Sequence, residues 1–527
     1  MRLNSLYQSL KEMMRKVFYF LLLATAFLAS CKKDKKDGLV PSKNGSTLDL
    51  VKDSVFLYAK EAYYWYDGLP SYAIFNPRSF SGGSDIAALN NELNAISQYK
   101  INPATGFPFE YYASIPGEAK YSFIDEGQVS TELNGTNSNF GFAPFYNDAN
   151  DLRIKYVYPG SPADLAGIKR GYQIISINGN SNLAYDGGSG THTQFVINAY
   201  ANSSTITMKL QKADQSTIDV TLNAANYTTN PVLTYKTINA GNGKIVGYLV
   251  FNSFTSDANA DAKLDAAFNY FQSQGITDLV VDLRYNGGGY TSTAEYLDNY
   301  IVPASKSGSI MYNYYFNDIL VNNFKGIDDP LLSHQFRRDD KNQLYNYAQF
   351  DYTVAGNAVK FSKKGSLNLS RVFFIVTGAT ASASELTINN LRPHLDVQLI
   401  GGTTYGKPVG FFNININKYE LYIPEFETKN SSGQGGYYTG MTPGAATYPG
   451  IKDYDDATKD FGDTTEILLH HAINFVKRGV YSVPATRIQG LAGKLKTFSV
   501  EQSNEAGIIV NANRFNGMIF NGNLKKK

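Results

Sequence analysis

The stretch that most constrains this chain runs from Val372 to Lys407. It opens on Val372-Phe-Phe-Ile-Val376, an unbroken apolar run that predicts a buried strand. The small residues of Gly378-Ala-Thr-Ala-Ser-Ala-Ser-Glu385 then make a tight bend, and Glu385-Leu-Thr-Ile-Asn-Asn-Leu391 continues at helical spacing until Pro393 stops it. Ser382 and Glu385 stand three apart, a capping-box spacing that places Ser382 at the helix N-terminus. Backbone N–H groups and the dipole favour developing negative charge there. A helix from Ser382 to Arg392 rises roughly 16 Å at about 1.5 Å per residue. The strand Asp396-Val-Gln-Leu-Ile400, with the residue after it, returns roughly 17–20 Å at about 3.3 Å per residue. Gly402-Thr-Thr-Tyr-Gly-Lys407 therefore arrives back at the level of Ser382. A serine at a helix start and a lysine beside it pair a nucleophile with a base. The local pattern alone also admits an ordinary strand–turn–helix with a surface lysine.

Length and charge narrow the setting. At 527 residues the chain has room for two to four domains. Its formal net charge is +2, and removal of residues 1–30, which carry +3, leaves −1. So nearly neutral a chain offers no electrostatic case for nucleic acid. The single cysteine, Cys31, excludes an internal disulfide. The five histidines are scattered without metal-ligand spacing, so no metal and no cofactor are expected; His470-His471, in an apolar helical run, read as structural.

Lys11 to Lys16 form a basic region ahead of the apolar run Val17–Ala29, which is too short for a comfortable transmembrane helix and fits a secretory signal. The run ends in Leu28-Ala-Ser-Cys31, which resembles the bacterial lipobox. That resemblance implies lipidation of Cys31 and anchoring in the cell envelope, more expected at the outer than the inner membrane, facing the periplasm or the surface. Residues 31–47 read as a polar tether. Residues 48–117 form a small, mainly helical region in which nothing carries chemistry.

Within 118–225, Pro159-Gly-Ser-Pro-Ala-Asp-Leu-Ala-Gly-Ile168 and Lys169-Arg-Gly-Tyr-Gln-Ile-Ile-Ser-Ile-Asn-Gly179 follow two strand patterns. The stretch resembles a PDZ domain, with Phe140-Gly141-Phe142 in place of the loop whose N–H groups bind a peptide's C-terminal carboxylate. A PDZ-shaped spacer without a ligand is the plainer alternative. Residues 226–480 alternate strands and helices, which argues for an α/β core. Lys244–Phe251 and Asp278–Leu283 read as strands, with a helix over 258–274 between them. Arg284-Tyr-Asn-Gly-Gly-Gly289 then leaves the backbone free for close approach. Residues 304–359 read as an irregular insertion near the cleft, Val409–Ile416 and Tyr419–Ile423 as a hairpin pair, 464–477 as a closing helix, and 481–527 as an ambiguous extension.

Ala381-Ser-Ala-Ser-Glu385 with Tyr405-Gly-Lys407, Ser382 and Lys407 standing 25 positions apart, resembles the S41 family of C-terminal (tail-specific) processing peptidases. The resemblance implies a crotonase-like core, a Ser382/Lys407 dyad and polypeptide substrates with free C-termini. It also implies an oxyanion hole of backbone N–H groups from Ala383 and, by alignment on Asp282 and Asn286, Gly288. Lys407 then has to be neutral, which desolvation favours. Three positions depart from the family pattern. Tyr285 and Gly287 stand where Asn and Pro are usual, and Phe411 stands where relatives often place a glutamine that orients the lysine. Two rival classes remain: an inert PDZ-containing binding lipoprotein, and an acyl-CoA enzyme on the same superhelix, which would leave the Ser/Lys spacing unexplained.

Overall fold

The computed structural model describes residues 41–338, 342–481, 498–499, 502, 506 and 515–521. The expected signal segment, Cys31 and most of the tether lie outside these residues, as does much of the extension 481–527. The chain divides into two compact units, one of residues up to Asp53 with Pro70–Ser79, the other of Ser54–Leu69 with Phe80 onward. In the first unit the Asp53 carboxylate gathers Arg78, at 2.6 Å, and the Tyr72 hydroxyl, at 2.5 Å.

The second unit is built on a six-stranded sheet in the order Gly450–Lys452, Asp396–Gly401, Arg371–Val376, Asp278–Asp282, Lys244–Phe251, Val232–Gly241. All neighbours are parallel except the last pair. Parallel strands need crossovers; Asp257–Ser273 supplies one and Ala383–Leu391 another. The register sets Ile375 beside Ile400 and Val376 beside Gly401, so the strand ends carrying the serine and the lysine lie together. Val246, Val280, Phe373 and Ile400 pack under Leu468, Leu469 and Ala472 of the helix Ile467–Arg478, which closes one face as expected.

The stretch 304–359 is more regular than its sequence promised. Ile310–Phe316 is a strand, paired with Ala358–Lys360 on one side and Phe426–Asn430 on the other. Tyrosines fill its inward positions, with Tyr312 and Tyr314 buried, so the apolar alternation that signals a strand is masked. Of the expected hairpin pair, Ile414–Ile416 and Tyr419–Tyr422 do pair, whereas Val409–Gly410 joins Phe426–Asn430.

The PDZ-like region is a five-stranded antiparallel sheet of Phe142–Asp148, Asp151–Val157, Gln173–Ile177, Thr205–Gln211 and Thr217–Asn223, in that order. Phe140, Phe142, Ile154, Val196 and Met208 form its core, to which Phe498 and Ala506 of the C-terminal extension add. Residues just before this sheet serve a different one: Phe123–Asp125 pairs with Tyr419–Tyr422.

Candidate active site

Ser382 caps the helix Ala383–Leu391 with φ 59° and ψ −105°, a backbone conformation that a side chain strongly disfavours. The capping-box arrangement is present, but only its Glu385 half is a full hydrogen bond: Ser382 N–H donates to Glu385 Oε2 at 2.8 Å. Ser382 Oγ is completely buried and has no hydrogen-bond partner.

Glu385 does more than cap. The same Oε2 accepts the Lys407 N–H at 2.8 Å, which puts the serine and lysine backbones within twice that distance. Its other oxygen takes the Gly406 N–H at 2.7 Å and the Thr404 hydroxyl at 2.5 Å. One buried carboxylate thus ties the helix start to the lysine loop. Its sequence signal was the capping-box spacing, which disclosed the contact to Ser382 and nothing of the loop. Burial raises the carboxyl's pKa, and these hydrogen bonds oppose the rise.

Lys407 is completely buried, and burial is the main cause holding its amine well below the ordinary lysine range. Lys120, half-buried nearby and itself pulled down to about 8 by desolvation, pushes in the same direction; Glu110 and Glu385 oppose it. Phe411, at the position expected to hold an orienting glutamine, sets its ring 3.9 Å (to the centroid) from Lys407 Nζ. The amine rests on an aromatic face where an amide oxygen was the familiar partner. Its hydrogen bond goes to the Asn516 carbonyl, at 2.8 Å.

The lysine loop is also held from outside the sheet, by Lys120 and Tyr121 and, behind them, by Glu110 and Tyr63 of the N-terminal region. Tyr121 Oη donates to the Gly406 carbonyl at 2.5 Å, and Lys120 Nζ donates to the same oxygen at 3.2 Å. Tyr405 Oη returns a hydrogen bond to the Lys120 carbonyl. Buried Glu110 fixes this segment by accepting the N–H groups of Tyr121 and Ser122, at 3.0 and 2.7 Å, and the Tyr63 hydroxyl at 2.6 Å.

Residues 245–445 match peptidase family S41, and residues 153–212 match the PDZ domain. The chain carries an S41 peptidase domain. A carboxyl-terminal-processing protease of Picosynechococcus sp. is 31% identical over 164 residues, 31% of this chain and 36% of the relative. A chloroplastic C-terminal processing peptidase of Tetradesmus obliquus is 25% identical over 268 residues, 49% of this chain and 48% of the relative. The chain thus spans between a third and a half of the length of these curated relatives. Among solved structures, a putative S41 protease from Bacteroides fragilis superposes with a TM-score of 0.51 at 24% identity, covering 82% of this chain and 98% of that one, a likeness of fold.

In the S41 domain the two expected oxyanion donors come together. A Cβ added to Gly288 would lie 3.1 Å from the Ala383 nitrogen, so the loop and the helix start approach at backbone distance. Gly288 N–H donates to Asn286 Oδ1 at 2.9 Å. The PDZ-like loop sits elsewhere. Phe140, Gly141 and Phe142 are buried, and Gly141 N–H donates to Asn139 Oδ1 at 2.8 Å. His394 meets Ser431 Oγ at 3.1 Å. His471 is buried against Asp453 at 2.8 Å, as a structural residue would be. Among the described residues no group of three or more His, Cys, Asp or Glu is placed to hold a metal, and no helix is long and apolar enough to cross a membrane.

Proposed function

We propose that this chain is a serine endopeptidase that cleaves polypeptides near their C-terminus. The observation that carries the reading is the Glu385 carboxylate binding the Ser382 and Lys407 amides through one oxygen, beside a lysine whose pKa burial holds well below the ordinary range. The similarity of the S41 domain to C-terminal processing peptidases supports the substrate class.

Ser382 Oγ attacks the scissile carbonyl carbon while its proton passes to the neutral Lys407 amine. The carbonyl oxygen becomes an oxyanion held by the N–H groups of Gly288 and Ala383, donors worth about 3–4 kcal/mol each at comparable sites. Gly288 N–H turns to it from Asn286. Collapse of the tetrahedral species breaks the C–N bond, and the lysinium returns the proton to the leaving amine. Water, deprotonated by Lys407, then attacks the acyl carbon; the C–Oγ bond breaks and the lysinium returns its proton to Ser382 Oγ. The PDZ-like domain recognises the substrate tail at Phe140–Phe142; a carboxylate bound there replaces Asn139 Oδ1 on Gly141 N–H. Lipidation of Cys31 anchors the protein in the cell envelope.

Labelling by a fluorophosphonate tests the nucleophile: the wild type should label and Ser382→Ala should not. Peptides with free apolar C-termini should be cleaved faster than their amidated forms. Unabated labelling of Ser382→Ala refutes the dyad, and equal cleavage of the two peptide forms refutes tail recognition.

A further inference from the structure

The segment Phe515–Asn521, which follows the S41 domain in sequence, lies against the dyad. Gly517–Ile519 is a strand parallel to Gly288–Tyr290, with Gly517 opposite Gly288, Met518 opposite Gly289 and Ile519 opposite Tyr290. Gly517 N–H donates to the Gly287 carbonyl at 3.0 Å. On its other edge, the Met518 carbonyl accepts Phe411 N–H at 2.8 Å, and Phe520 N–H donates to the Phe411 carbonyl at 2.7 Å. The segment therefore fills a slot between the oxyanion loop and the strand end that follows Lys407. Met518 is fully buried, and Ile519 and Phe520 nearly so.

The walls of the slot are shaped for a backbone. A Cβ on Gly287 would lie 2.3 Å from the Phe515 carbonyl oxygen and one on Gly288 2.2 Å from that of Gly517; one on Gly410 would meet the Phe426 ring at 2.4 Å and the Met518 carbonyl oxygen at 2.7 Å. No real Cβ tolerates such contacts, so glycine at 287 and 288 is what admits the strand along the oxyanion loop. Main-chain hydrogen bonds on two edges bind an extended polypeptide through its backbone, with side-chain fit secondary. Lys407 Nζ gives its hydrogen bond to the Asn516 carbonyl, and Ser382 Oγ has none.

We propose that residues 515–520 are an intramolecular occupant of the substrate cleft, and that the slot they fill is the binding site for an extended substrate polypeptide. The inference rests on the peptidase reading for the identity of the competitor. Substrate and segment exclude one another, so turnover requires the segment to leave. Being tethered, it competes at an effective concentration on the order of millimolar.

The test uses the full chain. Met518→Asp with Ile519→Asp puts two carboxylates where burial is complete or nearly so and should expel the segment. A fluorescein-labelled peptide of the sequence Phe515–Asn521 should bind this double variant at least tenfold more tightly than the wild type, read by anisotropy. Fluorophosphonate labelling of Ser382 should be at least tenfold faster in the variant, and excess peptide should slow it. Equal peptide affinity in the two proteins, or none in the variant, overturns the proposal. If the variant captures peptide while neither protein labels, self-occupancy stands and the peptidase reading falls. If both label equally fast, occupancy falls and the peptidase reading stands. Hydrogen exchange on the wild type is independent of any variant's folding: the amides of Phe411, Gly517 and Phe520 should be protected, and free exchange at all three overturns the proposal.

Discussion

Ser382 carries two costs that its replacement should release. Its φ of 59° with ψ −105° lies outside the helical and extended regions, a strain of about 1–3 kcal/mol. Its hydroxyl, buried without a partner, forgoes about 1–3 kcal/mol of solvation. Ser382→Ala removes the orphan hydroxyl and keeps the strain, so it should stabilise by about 1–3 kcal/mol. Ser382→Gly relieves the strain too, at a penalty of about 1–2 kcal/mol from the freer unfolded chain and the lost Cβ contact. It should therefore match or exceed the alanine variant. An ordinary N-cap behaves oppositely, since Ser→Ala there costs about 0.5–2 kcal/mol. The sign decides. Trp65, the chain's single tryptophan, is buried against Phe109 with stacked ring centroids 4.8 Å apart, so its fluorescence follows unfolding of this unit in urea. Midpoints should rise at unchanged slope while both variants lose peptide cleavage. A lower midpoint for Ser382→Ala would mean that Oγ has a capping partner. A glycine variant below alanine by 1 kcal/mol or more, roughly helix-interior behaviour, would mean that the backbone is unstrained.

Lys407→Arg should fold yet lose activity about as fully as Ser382→Ala, because a guanidinium cannot act as a base near neutral pH; retained turnover in a cleavage assay removes Lys407 as the base. Wild-type activity should climb as pH rises through a lysine pKa lowered by burial, since the neutral amine is the working form, and a rate falling over that range contradicts the assignment. Glu385→Gln turns one acceptor oxygen into a donor facing two donors. It should cost about 2–6 kcal/mol in urea melts and lower kcat, whereas unchanged stability would show that the clamp is dispensable. Cys31→Ser should release the protein from membranes or halt its maturation, and normal processing with membrane fractionation would exclude the lipid anchor.

The serine and the lysine were legible because the unit that presents them is local. A strand, a helix and a returning strand have lengths that cancel, and residue spacing alone brings Lys407 back to Ser382. The partners that make the pair work come from far along the chain, and no local period encodes them. Tyr121 reaches the lysine loop across 285 positions, and Asn516 reaches the lysine across 109. The strand Ile310–Phe316 was hidden for another reason: buried tyrosine hydroxyls satisfied by Glu295 and one another made a core-facing strand read as polar. At Phe411 the sequence announced a missing glutamine without announcing that its ring would face the amine.

The two departures in the loop Arg284–Gly289 have separate physical causes. Tyr285, at the usual Asn position, donates its hydroxyl to Asp455 at 2.5 Å and accepts from Arg170 of the PDZ-like domain at 2.6 Å. Its ring packs with Ala143, Tyr156 and Tyr158 of that domain. Next to it Arg284 is buried among Asp282, Asp455 and Glu466, and Arg170 shares Asp455 with it. Removing one member of such a network strands the others, so the loop and the PDZ-like domain are held as one piece. Gly287, at the usual Pro position, answers to the opposite wall, where the Phe515 carbonyl leaves no room for a Cβ. A proline would also bring a ring into that space. Residue 285 thus fixes the loop to the domain before it, and residue 287 opens the loop to the segment after it.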